Sequence, residues 1–375
     1  MPQPRVQNAA VQSAVDNGPL TPGKSSLNKK GPIRYAVIGQ GYISQIGMLP
    51  AFAHAKKNSV LVALISDDPD KLQKPAKEYD VPRTAHYNEY DALLASGDID
   101  AIYIALPNHL HANFTVRAAR AGVHVLCEKP MAISETQCQK MITACEKSGV
   151  KLMIVYRMHF EKATLSAIET VTAKKLGDPS IFHSIFTLQM SDPENYRLMP
   201  EAGGGPLYDI GIYCINAARS LFASEPVEVY ASAVTRDLQR FPKVEETMIA
   251  ILHFPEGRLA MFTCSFGASH ASSYDVIGST GRLHREPAYH LAEGMKLTVT
   301  TQDRTRTRDF PKSDQFAPQL VHFSDCILQN RTPEPSGIEG LNVVRILRAL
   351  HQSAKSGHIV RLPQTRTDAN RRVSK

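Results

Sequence analysis

From residue 33 to about residue 156, short apolar runs alternate with helix-like stretches. The runs fall at 34–38, 60–65, 101–106, 124–127 and 151–155. The stretches between them lie near 43–55, 69–79, 88–95, 110–121 and 134–148. The runs lack period-two alternation, which fits strands buried on both faces. Strands and helices alternating at this spacing predict βαβ units around a parallel sheet. After Tyr156 the pattern changes. A helix is predicted near 160–173, a strand near 181–190 and, after a triple-glycine turn, a helix starting near Tyr208. Strands follow at 227–234, 247–253, 259–265, 272–277 and 296–300, then helices near 316–328 and 338–355. Successive strands with short turns predict a mostly antiparallel sheet.

The expected organisation is a tail or subunit arm at 1–31, an α/β domain at 32–156, a second α+β domain at 157–363 and a loose tail at 364–375. The closing helices are free to pack back on the first domain. Residues 1–30 are too polar to fold alone. A chain of 375 residues supports two cores.

Composition narrows the function classes. Hydrophobic residues make up 43% and charged residues 21%, and no apolar run reaches transmembrane length. Neither a secretory leader nor a twin-arginine pattern is visible at the N-terminus, so the expected location is the cytoplasm. The net charge of +7 is diffuse and accompanied by no recognition motif, which argues against nucleic acid as a partner. The six cysteines form no CxxC pair. Their spacing suits neither zinc nor a disulfide framework, so buried free thiols and no metal are expected.

Residues 39–44 read GQGYIS directly after a predicted strand. Gly39 permits a tight turn, Gly41 lets the backbone approach a pyrophosphate, and a small residue at Ser44 lets helix and strand pack closely. The helix N-terminus then offers N–H groups to phosphates. A glycine turn without ligand fits the same residues. The next strand ends at Ser66, where NAD enzymes usually place an acid. Ser66 and Lys71 suit a 2′-phosphate, because hydroxyl and ammonium both donate to an anion. Asp67 opposes this if it points inward, and Lys71 also fits an ordinary surface lysine. NADP is the expected cofactor, with NAD as the alternative.

The run Leu106–Pro107–Asn108 with His111, and the run Glu128–Lys129–Pro130, each follow a predicted strand. Ligands of open parallel sheets bind outside the carboxyl ends of strands. In the second domain, Asp209 and Tyr213 stand four residues apart at a helix start, after Gly203–Gly204–Gly205. Carboxylate, phenol and lysine supply what alcohol oxidation needs: Tyr213 to exchange the hydroxyl proton, Lys129 to add positive charge and bind the substrate oxygen, Asp209 to orient. A helix N-cap at Asp209 and a half-buried core aromatic at Tyr213 are the structural alternatives.

Taken together, these motifs resemble the Gfo/Idh/MocA oxidoreductases across about residues 33–360. The tyrosine within Asp209–Ile210–Gly211–Ile212–Tyr213, where many members carry histidine, is similar to the glucose–fructose oxidoreductase branch. The resemblance implies an N-terminal Rossmann domain and a C-terminal domain with a large, mostly antiparallel open sheet. It implies Lys129, Asp209 and Tyr213 as the catalytic set, with Tyr156 joining them at the substrate. It implies cofactor contacts from Gly39, Gly41, Tyr42, Ile43, Ser66, Lys71, Leu106, Pro107, Asn108, His111, Glu128, Lys129 and Arg157, and from Arg197 beside Tyr196. It implies a sugar or polyol substrate and a homodimer or homotetramer built through the C-terminal sheet. The chain departs from the branch at Asp67 and in lacking an export signal.

The function expected is therefore hydride transfer between NADP and a sugar, as pyranose oxidation or keto-sugar or lactone reduction. An NAD-dependent dihydrodiol or inositol-type dehydrogenase is the alternative within that class. A catalytically silent, cofactor-sensing regulator is the alternative outside it, and the intact Lys129, Asp209 and Tyr213 set argues against that reading.

Overall fold

A computed structural model describes residues 31–291 and 293–363. The proposed arm at 1–31 and tail at 364–375 lie almost wholly outside the described residues. The chain divides into two compact units: 1–160 with 314–344, and 161–313 with 345–375. The boundary expected at 156/157 thus falls after Phe160, and the stretch from Asp314 to Val344 groups with the first unit.

The first unit is built on β1 (Ile33–Ile38), β2 (Ser59–Ile65), β3 (Arg83–Ala85), β4 (Ala101–Ile104), β5 (His124–Glu128) and β6 (Leu152–Val155). Their order is β3-β2-β1-β4-β5-β6, with every neighbouring pair parallel. This is the Rossmann order. Strands β4, β5 and β6 are buried at every position, because helices cover both faces of such a sheet. The short β3 has a single buried residue and no periodic pattern to predict it from. Local chemistry sets the helix starts. Asp68 accepts from the amides of Asp70 and Lys71 ahead of Pro69–Glu78, and Ser134 accepts from that of Gln137 ahead of Glu135–Lys147. The later helix Ala317–Leu328 is tied to the same sheet by Ser324, whose hydroxyl lies 2.7 Å from that of Tyr35 and 2.8 Å from that of Ser59.

Two buried histidines give this unit an acid weakness. Burial pushes His111 and His124 down to about 4, with the Lys151 charge adding to the effect at His124. Their folded values lie below the ordinary 6.5, so the unfolded chain binds protons that the folded chain refuses. The stability they contribute is complete above about pH 6.5 and is lost as pH falls through about 4. Calorimetry between pH 7 and pH 4.5 should show the melting point falling. His124→Asn, which keeps an acceptor for the Lys151 amide, should reduce the slope by roughly 1.4 kcal/mol per pH unit at most. An unchanged slope in the variant would exclude His124 as a source.

The second unit carries a nine-stranded sheet: β7 (Pro179–Gln189), β8 (Glu228–Val234), β9 (Thr247–His253), β10 (Leu259–Ser265), β11 (Gly267–Gly278), β12 (Gly281–Glu286), β13 (Met295–Thr301), β14 (Thr305–Phe310) and β15 (Val360–Arg361). The order is β14-β13-β12-β11-β7-β10-β9-β8-β15, antiparallel except where β10 runs parallel to β7. Residues alternate between a buried face and an open one. Phe182, Ser184 and Phe186 point inward from β7, and the helix Ile212–Phe222 packs on that face. Strands β12, β14 and β15 are absent from the sequence-based expectation. In β12 one inward position is Arg285 instead of an apolar residue, and in β14 only Phe310 is buried. Neither shows apolar alternation.

Candidate active site

The parallel sheet of the first unit brings its strand carboxyl ends to one edge, and five predicted residues follow those ends: Gly39 after β1, Ser66 after β2, Leu106 after β4, Lys129 after β5 and Tyr156 after β6. At Gly39 φ is +92°, and a Cβ there would meet the carbonyl oxygen of Ala105 at 2.5 Å. No other side chain fits. Around Gly41 nothing lies within 4 Å of an added Cβ, which leaves the backbone open to a ligand. The helix that follows begins at Tyr42 and carries a π turn at Ser44–Met48. Ser44 does more than keep the packing close, because its buried hydroxyl donates to the Gly39 carbonyl at 2.6 Å and ties the turn shut. Gln40 Nε2 donates to Val37 O, while its buried Oε1 has no partner. Tyr42 is exposed and Ile43 half-buried.

Ser66 is buried, and its hydroxyl accepts from the Asp68 amide at 3.2 Å. The Lys71 ammonium lies 3.2 Å from Asp68 Oδ2. Burial would raise the Asp68 carboxyl, but the Lys71 amide and ammonium outweigh it and hold it below its ordinary value. The acid that engages Lys71 is therefore Asp68.

Pro107 leads into a short helical turn at Asn108–Leu110. His111 then lies fully inside the unit. One ring nitrogen faces Pro130 O at 3.0 Å and the other faces Leu106 O at 2.8 Å. With no exposed surface, the neutral His111 ring lies between the β4 and β5 loops and donates to one of these two carbonyls. His111 was expected to contact the cofactor, and this is where the structure places it. Glu128, also expected at the cofactor, is engaged by the protein's own groups. It is buried, and its carboxylate accepts from the Tyr103 hydroxyl at 2.6 Å and the Lys129 amide at 3.1 Å. Burial raises its carboxyl above the ordinary range, against the pull of Tyr103, Lys129 and Arg157. Glu128 thereby fixes the backbone of half-buried Lys129, whose bond to Pro130 is cis. Tyr156 is buried and stacks on His159 with ring centroids 5.8 Å apart. Arg157 is buried and donates to Gln315 Oε1.

In the second unit the glycine run wraps Arg197. Gly205 N donates to Arg197 O at 2.8 Å, and a Cβ on Gly204 would meet that same carbonyl at 2.5 Å. The chain then enters a π turn at Leu207–Gly211, which contains Asp209, and continues as Ile212–Phe222. Neither helix start is capped by a side chain, so Asp209 is not an N-cap. Its Oδ2 lies instead 3.1 Å from Arg197 Nε. Burial opposes the Arg197 charge, but Asp209 and Tyr196 outweigh it and raise the guanidinium further. Arg197, expected as a cofactor ligand, is placed on Asp209 and over the Tyr196 ring at 4.7 Å. Isolated π turns occur mostly at functional positions. Half-buried Tyr213 packs edge-on to Phe186 at 5.7 Å and beside Tyr289 at 5.9 Å.

Four residues were not anticipated: Phe186 and Tyr289, which flank Tyr213, and His270 and His290 next to them. Phe186 looks like any core residue in sequence, and the others lie about 60 to 80 residues downstream with no motif around them. Among the described residues no group of His, Cys, Asp and Glu could hold a metal, and no helix is long and apolar enough to cross a membrane. All six cysteines are buried and none is in a disulfide.

Comparison with known proteins gives concordant matches. Residues 33–156 match a family model described as an oxidoreductase family with an NAD-binding Rossmann fold. Residues 164–284 match the GFO/IDH/MocA C-terminal domain. The chain is similar to a D-xylose 1-dehydrogenase (NADP+) of Haloferax volcanii, at 32% identity over 88% of this chain and 99% of that one. Among solved structures, an aldose–aldose oxidoreductase from Caulobacter crescentus complexed with glycerol superposes with a TM-score of 0.84. It is 37% identical, over 88% of this chain and 100% of that one. A 3-ketoreductase from Actinomadura kijaniata in complex with NADP and TDP-benzene superposes at 0.78 with 27% identity, over 86% and 98%.

Proposed function

The chain belongs to the GFO/IDH/MocA family of oxidoreductases, and from that premise we propose that it transfers a hydride between NADP and a hydroxyl-bearing carbon of a sugar, in the sense of aldose oxidation or keto-sugar reduction. The observation that carries this reading is the π turn at Leu207–Gly211. It sets Asp209, held by Arg197, four residues before the phenol of Tyr213.

The residues of the first unit fit a dinucleotide. Gly39 and Gly41 shape a turn that a diphosphate can approach, at the start of the helix beginning at Tyr42. Ser66 and Lys71 would hold the 2′-phosphate. Asp68 keeps the ammonium in place at 3.2 Å. When bound, the nicotinamide supplies the hydride chemistry. This chain's residues supply the proton chemistry. Tyr213 takes the hydroxyl proton during oxidation and returns it during reduction. Lys129, with its backbone fixed by Glu128, binds the substrate oxygen and offsets the charge that develops there. Asp209, neutralised by Arg197, orients rather than exchanges protons.

A second copy of the chain is the proposed macromolecular partner. It would cover the open face of the nine-stranded sheet, where Tyr230, Ile249, Met261, Leu259, Ile181 and Ile277 are exposed. The cytoplasm is the proposed location, in keeping with six cysteines of which none is in a disulfide.

Fluorescence titration and steady-state assays test the reading. The protein should bind NADPH more tightly than NADH and oxidise D-xylose or related aldoses with NADP. Lys71→Ala should weaken NADPH about tenfold or more, the loss of one charge-assisted bond, and leave NADH nearly unchanged. Tighter binding of NADH by the wild type would overturn the assignment of Ser66 and Lys71. Inertness toward aldoses with either cofactor would overturn the enzyme reading.

A further inference from the structure

Next to Phe186 and Tyr289, the rings that flank Tyr213, the second unit holds a pair of imidazoles that the proposed reaction leaves without a role. His270 and His290 meet through their Nε2 atoms, with ring centroids 4.3 Å apart. His270 lies 6.2 Å from the Phe186 ring, and Phe186 and Tyr289 are the two rings that flank Tyr213. Two separate devices bring the histidines there. Strand β11 bulges: Gly267 pairs with Gln189 and Ala271 with Thr187, so Ala268, Ser269 and His270 oppose Leu188 alone. Bulges of this kind re-aim side chains near active sites. His290 sits on the β12–β13 loop, which is pinned at its root. The Tyr289 amide donates to Ser272 Oγ at 2.9 Å, and the Tyr289 hydroxyl lies 2.8 Å from Ser184 Oγ.

The proton positions follow from the partners. His270 Nδ1 lies 2.9 Å from the Thr187 carbonyl, which can only accept, so Nδ1 carries the hydrogen. In the neutral ring Nε2 is then an acceptor. His290 Nε2 faces it and is the donor when that ring carries both its hydrogens, with Nδ1 directed to Glu293. His290 Nδ1 lies 3.8 Å from Glu293. The result is one acceptor nitrogen and one donor nitrogen aimed at each other, with His270 on the exposed side.

We propose that His270 and His290 form a hydroxyl clamp that reads one sugar hydroxyl away from the reacting carbon. A hydroxyl inserted between the rings accepts from His290 Nε2 and donates to His270 Nε2, replacing their mutual bond without leaving either nitrogen unsatisfied. An apolar group can do neither, and an anion cannot donate to His270. The pair therefore selects a polyol and, through the position of that hydroxyl, its configuration. The inference rests on the proposed sugar reaction and adds specificity-determining residues to it.

The test uses His270→Leu, His290→Leu and the conservative His270→Gln. Each is assayed with saturating NADP against pairs of aldoses that differ at a single hydroxyl, with aldose affinity for the NADP-loaded enzyme measured by calorimetry. Each leucine variant should raise KM and the calorimetric Kd for the preferred aldose roughly tenfold or more and change kcat far less. The preference between epimers should collapse toward unity, NADPH affinity should hold, and His270→Gln should recover part of the loss. A wild type that oxidises aldoses, with leucine variants matching it in KM and epimer preference, overturns the clamp and leaves the reaction standing. A wild type with no affinity for any aldose overturns both.

Discussion

Tyr213→Phe should lower turnover of the aldose by about 10²–10⁴-fold, the range for losing a positioned proton-transfer group, with NADPH affinity retained. The phenol belongs to the second unit and the glycine turn for the dinucleotide to the first. Removing one oxygen from Tyr213 therefore leaves the Gly39 turn intact. The ring itself stays, so its contacts with Phe186 and Tyr289 persist and the fold is not the cause of the loss. Stopped-flow measurement of the hydride step, with fluorescence titration of NADPH on the same sample, separates the two effects. Turnover within a few-fold of the wild type would remove Tyr213 from the reaction.

Arg285→Met should destabilise the second unit by about 3–5 kcal/mol, the cost of breaking a buried ion pair on one side. Arg285 has no exposed surface, and its Nη2 lies 2.7 Å from Glu161 Oε2. Its Nη1 donates to Thr164 Oγ1 at 2.6 Å, and the guanidinium lies 5.7 Å from the centre of the Tyr274 ring. Glu161 in turn caps the helix Lys162–Thr172, accepting from the amides of Ala163 and Thr164 at 2.8 Å each. Without Arg285 its charge stays buried with those amides and a hydroxyl alone. Burial opposes the Arg285 charge, yet Tyr274 and Glu161 raise it above its ordinary value. The double variant Arg285→Met with Glu161→Gln should recover much of the loss, because it removes the orphaned charge and keeps an acceptor for the helix amides. The chain has no tryptophan, so calorimetry is the suitable measurement. Single and double variants melting alike would show that the pair is not the source of the stability.

Much of the architecture was legible before any coordinates. The apolar runs of the first unit correspond to β1, β2, β4, β5 and β6, because strands covered on both faces must be apolar throughout. The strands that escaped notice lack that pressure. β3 is three residues long, β14 is almost wholly exposed, and β12 places Arg285 where the pattern demands a hydrocarbon. The chemistry of the candidate site was partly legible for a related reason. Gly39, Lys129, Asp209 and Tyr213 lie in short motifs whose spacing encodes a local geometry. His111 and Glu128 lie in the same motifs, yet what they contact depends on Leu106, Tyr103 and the cis turn at Pro130.

By itself the sequence determined the two fold classes, the glycine turn after β1 and the short motifs that carry Lys129, Asp209 and Tyr213. Each of these follows from local periodicity or from a constraint within a few residues. Only the tertiary structure decided that Asp68 holds Lys71, that Arg197 holds Asp209, and that a strand bulge and a distant loop bring His270 to His290. Hydrogen bonds and ion pairs act over about 3 Å, and chain spacing says little about which polar groups come that close once sheets and loops have packed.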